Sequence, residues 1–439
     1  MEISEKEIEE FFTLLRFQSV GKGSGESRSC AEWLRERLKE AGFAAELWET
    51  AGSPVLFGEK KCGEEGRPTL LLYNHYDVQP ADPFEEWETP PFEPTLKEGT
   101  IYARGAQDNK GQLFYTLLAL RELEKLPVNV KWLIEGEEES GSAGLEALLP
   151  EKRGRLKADC LAIVDGGIPS MKSPAVTLGA RGIATFEVSV EGSKSDLHSG
   201  TYGGIVVNPL HALVAMLAAL RDGAGKIRIP GFYDEVALLN AEERELIDFS
   251  FDKERFRQEF GAEPSGGEKT FSPRERATVR PTLEINGIFG GYAGEGFKTV
   301  IPAKAFAKLS CRLVADQDPQ KISESAAAFL KQCAPEGVRI EVRPLHSGRP
   351  FRSNPKSGIV KAFAAAYEEV LQKRCRYMLE GGSVPVAAAL AEAAGAETAM
   401  IGLGLPGDRI HAPNEHFSLD RLLAGKKIVA SALCKLIRI

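Results

Sequence analysis

Two periods of apolar and polar residues alternate along the first 180 residues of the chain. Residues 5–15 and 30–41 repeat at helical spacing; in the second, Ala31, Leu34 and Leu38 fall on one face. Short continuous apolar runs follow at 69–73, 130–134 and 160–164, as in strands buried on both faces. A helix is predicted over 111–126, before the second of these runs. Such alternation predicts an α/β layer, a mainly parallel sheet flanked by helices.

From about Gly182 the pattern changes. Residues 183–190 alternate, with Phe186, Val188 and Val190 opposed to Thr185, Glu187 and Ser189. A helix is predicted over 209–221, strands over 281–286 and 305–314, a helix over 319–333 and a strand over 338–342. This β-α-β-β-α-β order is the ferredoxin-like arrangement. Ala305, Ala307, Leu309, Cys311 and Leu313 share one strand face, so Arg312 points away from that domain's core. An insert at 229–279 holds a charged segment read as helical over 235–260 and a Gly/Pro/Ser-rich loop at 264–273. The α/β pattern resumes after Pro350, with helices at 358–373 and 419–436 around an apolar run at 398–402.

Composition narrows the class. Apolar residues form 43% and charged residues 27% of 439, ordinary globular usage that excludes a disordered or collagen-like chain. The net charge is −8 and no basic block occurs, a poor basis for binding nucleic acid or an anionic membrane. No uncharged apolar stretch approaches the ~18 residues needed to span a bilayer. The first residues are acidic and lack an apolar core, unlike a secretory signal. Seven scattered cysteines without a Cys-x-x-Cys pair point to reduced thiols in a cytoplasmic protein, not a disulfide scaffold or a Cys-ligated zinc.

The chemistry gathers at the ends of the apolar runs. His75 and Asp77 follow the first; Glu137, Glu138 and Glu139 follow the second. Asp165 ends the third, and His411 lies on the loop after 398–402. Ligands of open α/β sheets bind outside the carboxyl ends of the strands. Each residue alone could be a surface histidine, a solvated helix start or a turn residue. At four equivalent strand ends, two histidines and several carboxylates have the composition of a metal site. Gly402-Leu403-Gly404-Leu405-Pro406-Gly407 imitates a dinucleotide fingerprint, but Pro406 and the following Arg409-Ile410-His411-Ala412-Pro413 do not open a helix. No G-x-S-x-G elbow or P-loop occurs.

Five runs carry a family resemblance: His75-Tyr76-Asp77-Val78-Gln79-Pro80, Tyr102-Ala103-Arg104-Gly105-Ala106-Gln107-Asp108-Asn109-Lys110-Gly111, Glu135-Gly136-Glu137-Glu138-Glu139-Ser140-Gly141-Ser142, Asp196-Leu197-His198-Ser199-Gly200 and His411-Ala412-Pro413-Asn414-Glu415. In this order they resemble the two-zinc metallopeptidases that include carboxypeptidase G, aminoacylase, succinyl-diaminopimelate desuccinylase and the carnosine or non-specific dipeptidases. The His-Ser-Gly-x-Tyr-Gly-Gly run and the long insert look most like the dipeptidase branch.

The resemblance implies one zinc held by His75 and Asp165, another held by Glu139 and His411, and Asp108 bridging both. Manganese or cobalt could occupy the same N/O donors. It also implies Asp77 orienting the His75 imidazole, and Glu138 as the general base that serves a hydroxide bridging the metals. His198 is implied to stabilise the oxyanion in a neighbouring subunit's site, Arg312 to grip the substrate carboxylate, and Thr299 and Ser383 to line the pocket. His211, within an apolar helix, reads as structural; His346 and His416 receive no role. The implied protein is a cytoplasmic dipeptidase acting on short peptides with a free carboxyl terminus, or alternatively an N-acyl-amino-acid deacylase. Its catalytic domain would comprise 1–180 and 347–439, and an inserted lid, 181–346, would close over substrate and form a homodimer.

Overall fold

A computed structural model describes residues 2–21, 25–382 and 384–437. The chain forms two compact units. The first comprises the described residues of Met1–Gly179, Ser353–Met378 and Val386–Ile439; the second comprises those of Ala180–Arg352 and Leu379–Pro385.

In the first unit, the strands Asn129–Glu135, Thr69–His75, Cys160–Val164 and Glu397–Ile401 lie side by side and parallel. Their carboxyl ends therefore share one edge of the sheet. Antiparallel strands extend it: Val55–Lys60 and Ala44–Trp48 beyond Asn129–Glu135, and Ala175–Ala180 beside Glu397–Ile401. Every residue of Cys160–Val164 is buried, which explains its unbroken apolar sequence. The helix Lys110–Glu122 is buried from Lys110 through Leu120 and packs on Leu419–Leu436, which also meets Gly358–Leu371. This is the mainly parallel, helix-flanked sheet that the apolar runs predict.

The helix beginning at Lys110 ends at Glu122 rather than at 126. Leu123 is already extended, and Pro127 restricts the residue before it to extended conformations. Helix Ala143–Leu156 and the two antiparallel strands at 44–60 have no counterpart in the sequence expectations.

The second unit is built on an antiparallel sheet in the order Thr282–Gly290, Lys304–Leu313, Gly182–Glu191, Arg339–Gly348. Helices Pro209–Ala219 and Pro319–Gln332 supply Leu213, Met216, Ile322 and Leu330 to a core with Phe186, Val188 and Leu309. The connectivity is β-α-β-β-α-β, as the alternation predicts. Pro344 sits on the edge strand Arg339–Gly348, directly before an irregularity in its register, the kind of place where a sheet tolerates proline.

Two features of this unit differ from expectation. The segment 235–260 is not one helical stretch but two short helices, Ala241–Leu246 and Lys253–Phe260. Asn240 and Asp252 each accept a hydrogen bond from a backbone N–H three residues on, so each starts a helix of its own. Residues 347–352 and the described residues of 379–385 also group here. Gly348 pairs with Ile183, and the Arg181 guanidinium donates to Gly381 O at 2.8 Å.

Candidate metal centre

The first unit delivers its polar side chains from the shared sheet edge. His75 is the last residue of Thr69–His75, and Asp165 directly follows Cys160–Val164. Glu138 and Glu139 open a short turn of 3-10 helix three residues beyond Asn129–Glu135. Asp108 precedes the helix at Lys110, and His411 lies in the loop after Glu397–Ile401. The glycines of that loop serve close packing. A Cβ at Gly402 would lie 2.0 Å from Gly166 O, and one at Gly404 would lie 2.2 Å from Gln107 Nε2.

These elements bring together two three-donor groups, His75–Asp108–Asp165 and Asp108–Glu139–His411, with the ligand atoms of each within 4.8 Å of one another. Asp108 belongs to both. Its Oδ1 lies 3.1 Å from His75 Nε2, and its Oδ2 lies 3.0 Å from His411 Nε2. His75 Nε2 is also 3.6 Å from Asp165 Oδ1, and His411 Nε2 is 3.2 Å from Glu139 Oε1. Glu138 belongs to neither group.

The surrounding side chains hold these atoms in place. His75 Nδ1 lies 3.1 Å from the backbone oxygen of Asp77 and 3.4 Å from its Oδ1. The Asp77 carboxylate accepts from the backbone N–H groups of Glu138 at 3.2 Å and Glu139 at 3.0 Å. Gln79 Nε2 donates to Glu139 Oε2 at 2.8 Å. Asn109 Nδ2 donates to Asp165 Oδ1 at 2.7 Å, while its oxygen accepts from Asn74 Nδ2 at 2.7 Å. Gln79, Asn74 and Asn109 are not singled out by the sequence reading; the signal is that Gln79 and Asn109 stand inside two of the quoted runs and Asn74 directly precedes His75.

The electrostatics suit a cation. Hydrogen bonds to Asp108 and Glu139 hold the His411 imidazole up at about 10. His75 also rises: burial opposes its charge, but Asp165, Asp108 and Asp77 outweigh that penalty. Burial pushes Glu138 well above the usual carboxylate range, aided by Asp165, Glu139 and Asp108. Negative potential that raises both imidazoles favours divalent cations at the same place. Glu139 Oε1 is buried and, apart from the His411 imidazole 3.2 Å away, meets no hydrogen-bond donor among the described residues, as expected of an atom kept for a metal. Imidazole nitrogens and carboxylate oxygens are ordinary ligands of zinc and similar ions. The donor set fits two such ions.

The remaining sequence-derived residues lie in the second unit, except Ser383, which is outside the described residues. His198 caps the short helix Ser199–Tyr202, and its Nδ1 accepts from Gly200 N at 3.1 Å. The two-residue strand Leu197–His198 pairs with Val300–Ile301, and Ser199 N donates to Thr299 O at 3.1 Å. His198 and Thr299 thus share one small ribbon. Arg312 lies on the partly exposed face of Lys304–Leu313, opposite Thr282 in the neighbouring strand. His211, expected to be structural, is exposed on its helix.

Comparison with known proteins agrees with this geometry. Residues 71–435 match Peptidase family M20/M25/M40. The Cys-Gly metallodipeptidase dug1 of Schizosaccharomyces pombe is 34% identical over 393 residues, 85% of this chain and 81% of that protein. The human Beta-Ala-His dipeptidase is 33% identical over 392 residues, 86% of this chain and 76% of that protein. Among solved structures, the M20 family metallo-carboxypeptidase Sso-CP2 from Sulfolobus solfataricus superimposes with a TM-score of 0.89 at 32% identity, covering 99% of this chain and all of that one. Shared family, matched fold and a double donor cluster agree: this chain belongs to Peptidase family M20/M25/M40.

Proposed function

We propose that this protein is a dinuclear metallodipeptidase that hydrolyses the peptide bond of dipeptides or short peptides with a free carboxyl terminus. The observation that carries the reading is the Asp108 carboxylate, with one oxygen facing His75 and the other facing His411. Bound there, two divalent ions would supply Lewis acidity toward the scissile carbonyl and lower the pKa of the attacking water. His75 and Asp165 would hold one ion, Glu139 and His411 the other, with Asp108 between them.

Glu138, left outside both donor groups, takes the proton from the attacking water and returns it to the leaving amine. Asp77 fixes the His75 ring and the Glu138–Glu139 turn together. His198 stabilises the developing oxyanion in a neighbouring copy, Arg312 pairs with the substrate carboxylate as a fork, and Thr299 and Ser383 line the pocket. The second unit serves as the lid and dimerisation domain. Its edge strand Thr282–Gly290 supports a homodimer, since Ile285, Ile288 and Phe289 are exposed along it. We take the ions as zinc, with manganese or cobalt as substitutes, and the compartment as the cytoplasm, in keeping with seven free cysteines. No helix among the described residues is long and apolar enough to cross a membrane.

The test is a panel of dipeptides beside N-acetyl-amino acids, assayed with and without chelator. Chelator-sensitive dipeptide turnover, restored by zinc, is expected. Negligible dipeptide turnover beside rapid deacetylation overturns the proposal in favour of a deacylase. Sedimentation of the purified protein as a monomer at micromolar concentration overturns the homodimer.

A further inference from the structure

One fully buried carboxylate in the first unit has no part in the ligand set. Glu415 is 0% exposed and lies four residues after His411. Its Oε2 accepts from Arg104 Nη1 at 2.8 Å and Gly105 N at 2.9 Å. Its Oε1 accepts from Gln107 N at 2.9 Å and Asp108 N at 3.0 Å. Its backbone oxygen accepts from Ala103 N at 3.1 Å. One residue therefore gathers four backbone N–H groups and a guanidinium from the loop that ends in the bridging aspartate.

We infer that Glu415 is a positioning residue that fixes the bridging carboxylate of Asp108 relative to His411, and so sets how tightly the second ion is held. The inference rests on the two-metal reading above. Its physical basis is leverage at both ends of one short segment. The backbone of Glu415 continues from the His411 loop, where Arg409, His411 and Asn414 all take left-handed conformations, with φ of 59°, 59° and 66°. Non-glycine residues persist in that region only where their surroundings hold them there. Asn414 supplies part of the restraint, accepting from Glu88 N at 2.7 Å and donating to Glu86 O at 3.0 Å. Glu415 adds to that restraint and grips the Asp108 backbone as well.

The charge of Glu415 is needed for this. Each carboxylate oxygen takes two donors, and a carboxylate is an acceptor at both oxygens. In Glu415→Gln one of those positions becomes an amide NH₂, which faces two N–H groups and can accept from neither. Arg104, 1% exposed and donating also to Pro80 O at 3.0 Å, then keeps a buried charge without its counter-ion. The loop has to shift, and Asp108 shifts with it.

The test measures zinc binding to full-length Glu415→Gln and to the parent by competition with a chromogenic chelator, with thermal unfolding of the metal-free and zinc-loaded forms alongside. The expected result is two zinc ions in the parent and a loss of affinity of about 10–100-fold for at least one of them in the variant. The zinc-induced rise in melting temperature should shrink accordingly. A variant that binds two ions with the parent's affinities, its melting temperature lowered equally in both forms, overturns the inference and leaves Glu415 a purely structural residue. A parent that binds fewer than two ions overturns the two-metal reading and this inference with it. Should Glu415→Gln not fold, Glu415→Asp, which keeps the charge on a shorter stem, is measured in the same way. Unchanged affinity for both ions in that variant also overturns the inference.

Discussion

Asp77 accepts a hydrogen bond from the backbone N–H of Glu139 at 3.0 Å, while its other carboxylate oxygen stands 3.4 Å from His75 Nδ1. One buried side chain thus sets the ring of a candidate ligand on one strand and the turn carrying a second candidate ligand and the proposed base on the next. Asp77→Asn preserves shape but replaces one acceptor oxygen with a donor. Activity should fall about 10–100-fold, the usual cost of disturbing a partner behind a metal ligand. Steady-state kinetics with a metal content assay checks this; parental kcat and KM would show that the orienting role is empty.

The roles proposed for the adjacent glutamates, base for Glu138 and ligand for Glu139, give a second prediction. Glu138→Ala should retain both ions and lose activity about 10²–10⁴-fold, the range for a general acid–base group. Asp108→Ala should lose metal as well, because its carboxylate belongs to both donor groups. Elemental analysis of dialysed protein distinguishes the two outcomes. Loss of metal in Glu138→Ala would mean that Glu138 is a ligand.

The site is legible in the sequence to the extent that it sits on strand ends. Parallel strands buried on both faces read as unbroken apolar runs, so the residues ending them, His75 and Asp165, stand out without a structure. The sheet of the second unit is legible for the opposite reason: Lys304–Leu313 is half-buried and alternates cleanly. Glu415 is not legible as a buried hub, because four of its partners are backbone N–H groups, which carry no side-chain signature. Helix Ala143–Leu156 is hidden by Pro150 and Gly154, residues that disfavour a helix unless packing overrides them. Strand Ala44–Trp48 is hidden by a weak pattern, with only Trp48 fully buried.

Gly111 gives a third prediction. A Cβ there would lie 2.0 Å from the backbone oxygen of Ala106, two residues before Asp108. Backbone cannot swing aside as a side-chain tip can, so Gly111→Ala must displace the loop that carries Asp108, the proposed bridging residue. A loss of about 1–3 kcal/mol is expected from the overpacking, together with weakened metal binding. Denaturant unfolding and zinc titration test the two effects separately. An unchanged midpoint would mean that the loop accommodates the methyl group.

The fourth prediction concerns the buried pair of Asp408 and Arg421, whose side chains are 2% and 5% exposed. Arg421 lies in the first turn of the final helix and donates to Leu403 O at 3.2 Å as well as to Asp408. Asp408 also accepts from Leu405 N at 2.7 Å, which folds the glycine-rich run back before His411. Removing one member leaves the other charge buried and uncompensated, a loss of about 3–5 kcal/mol. Asp408→Ala should therefore destabilise the protein by that amount, whereas the double variant Asp408→Ala/Arg421→Met should recover part of it by removing the stranded cation. Chemical unfolding of the two variants decides the matter. A double variant less stable than the single one would show that Arg421 acts through its bond to Leu403 rather than through its charge.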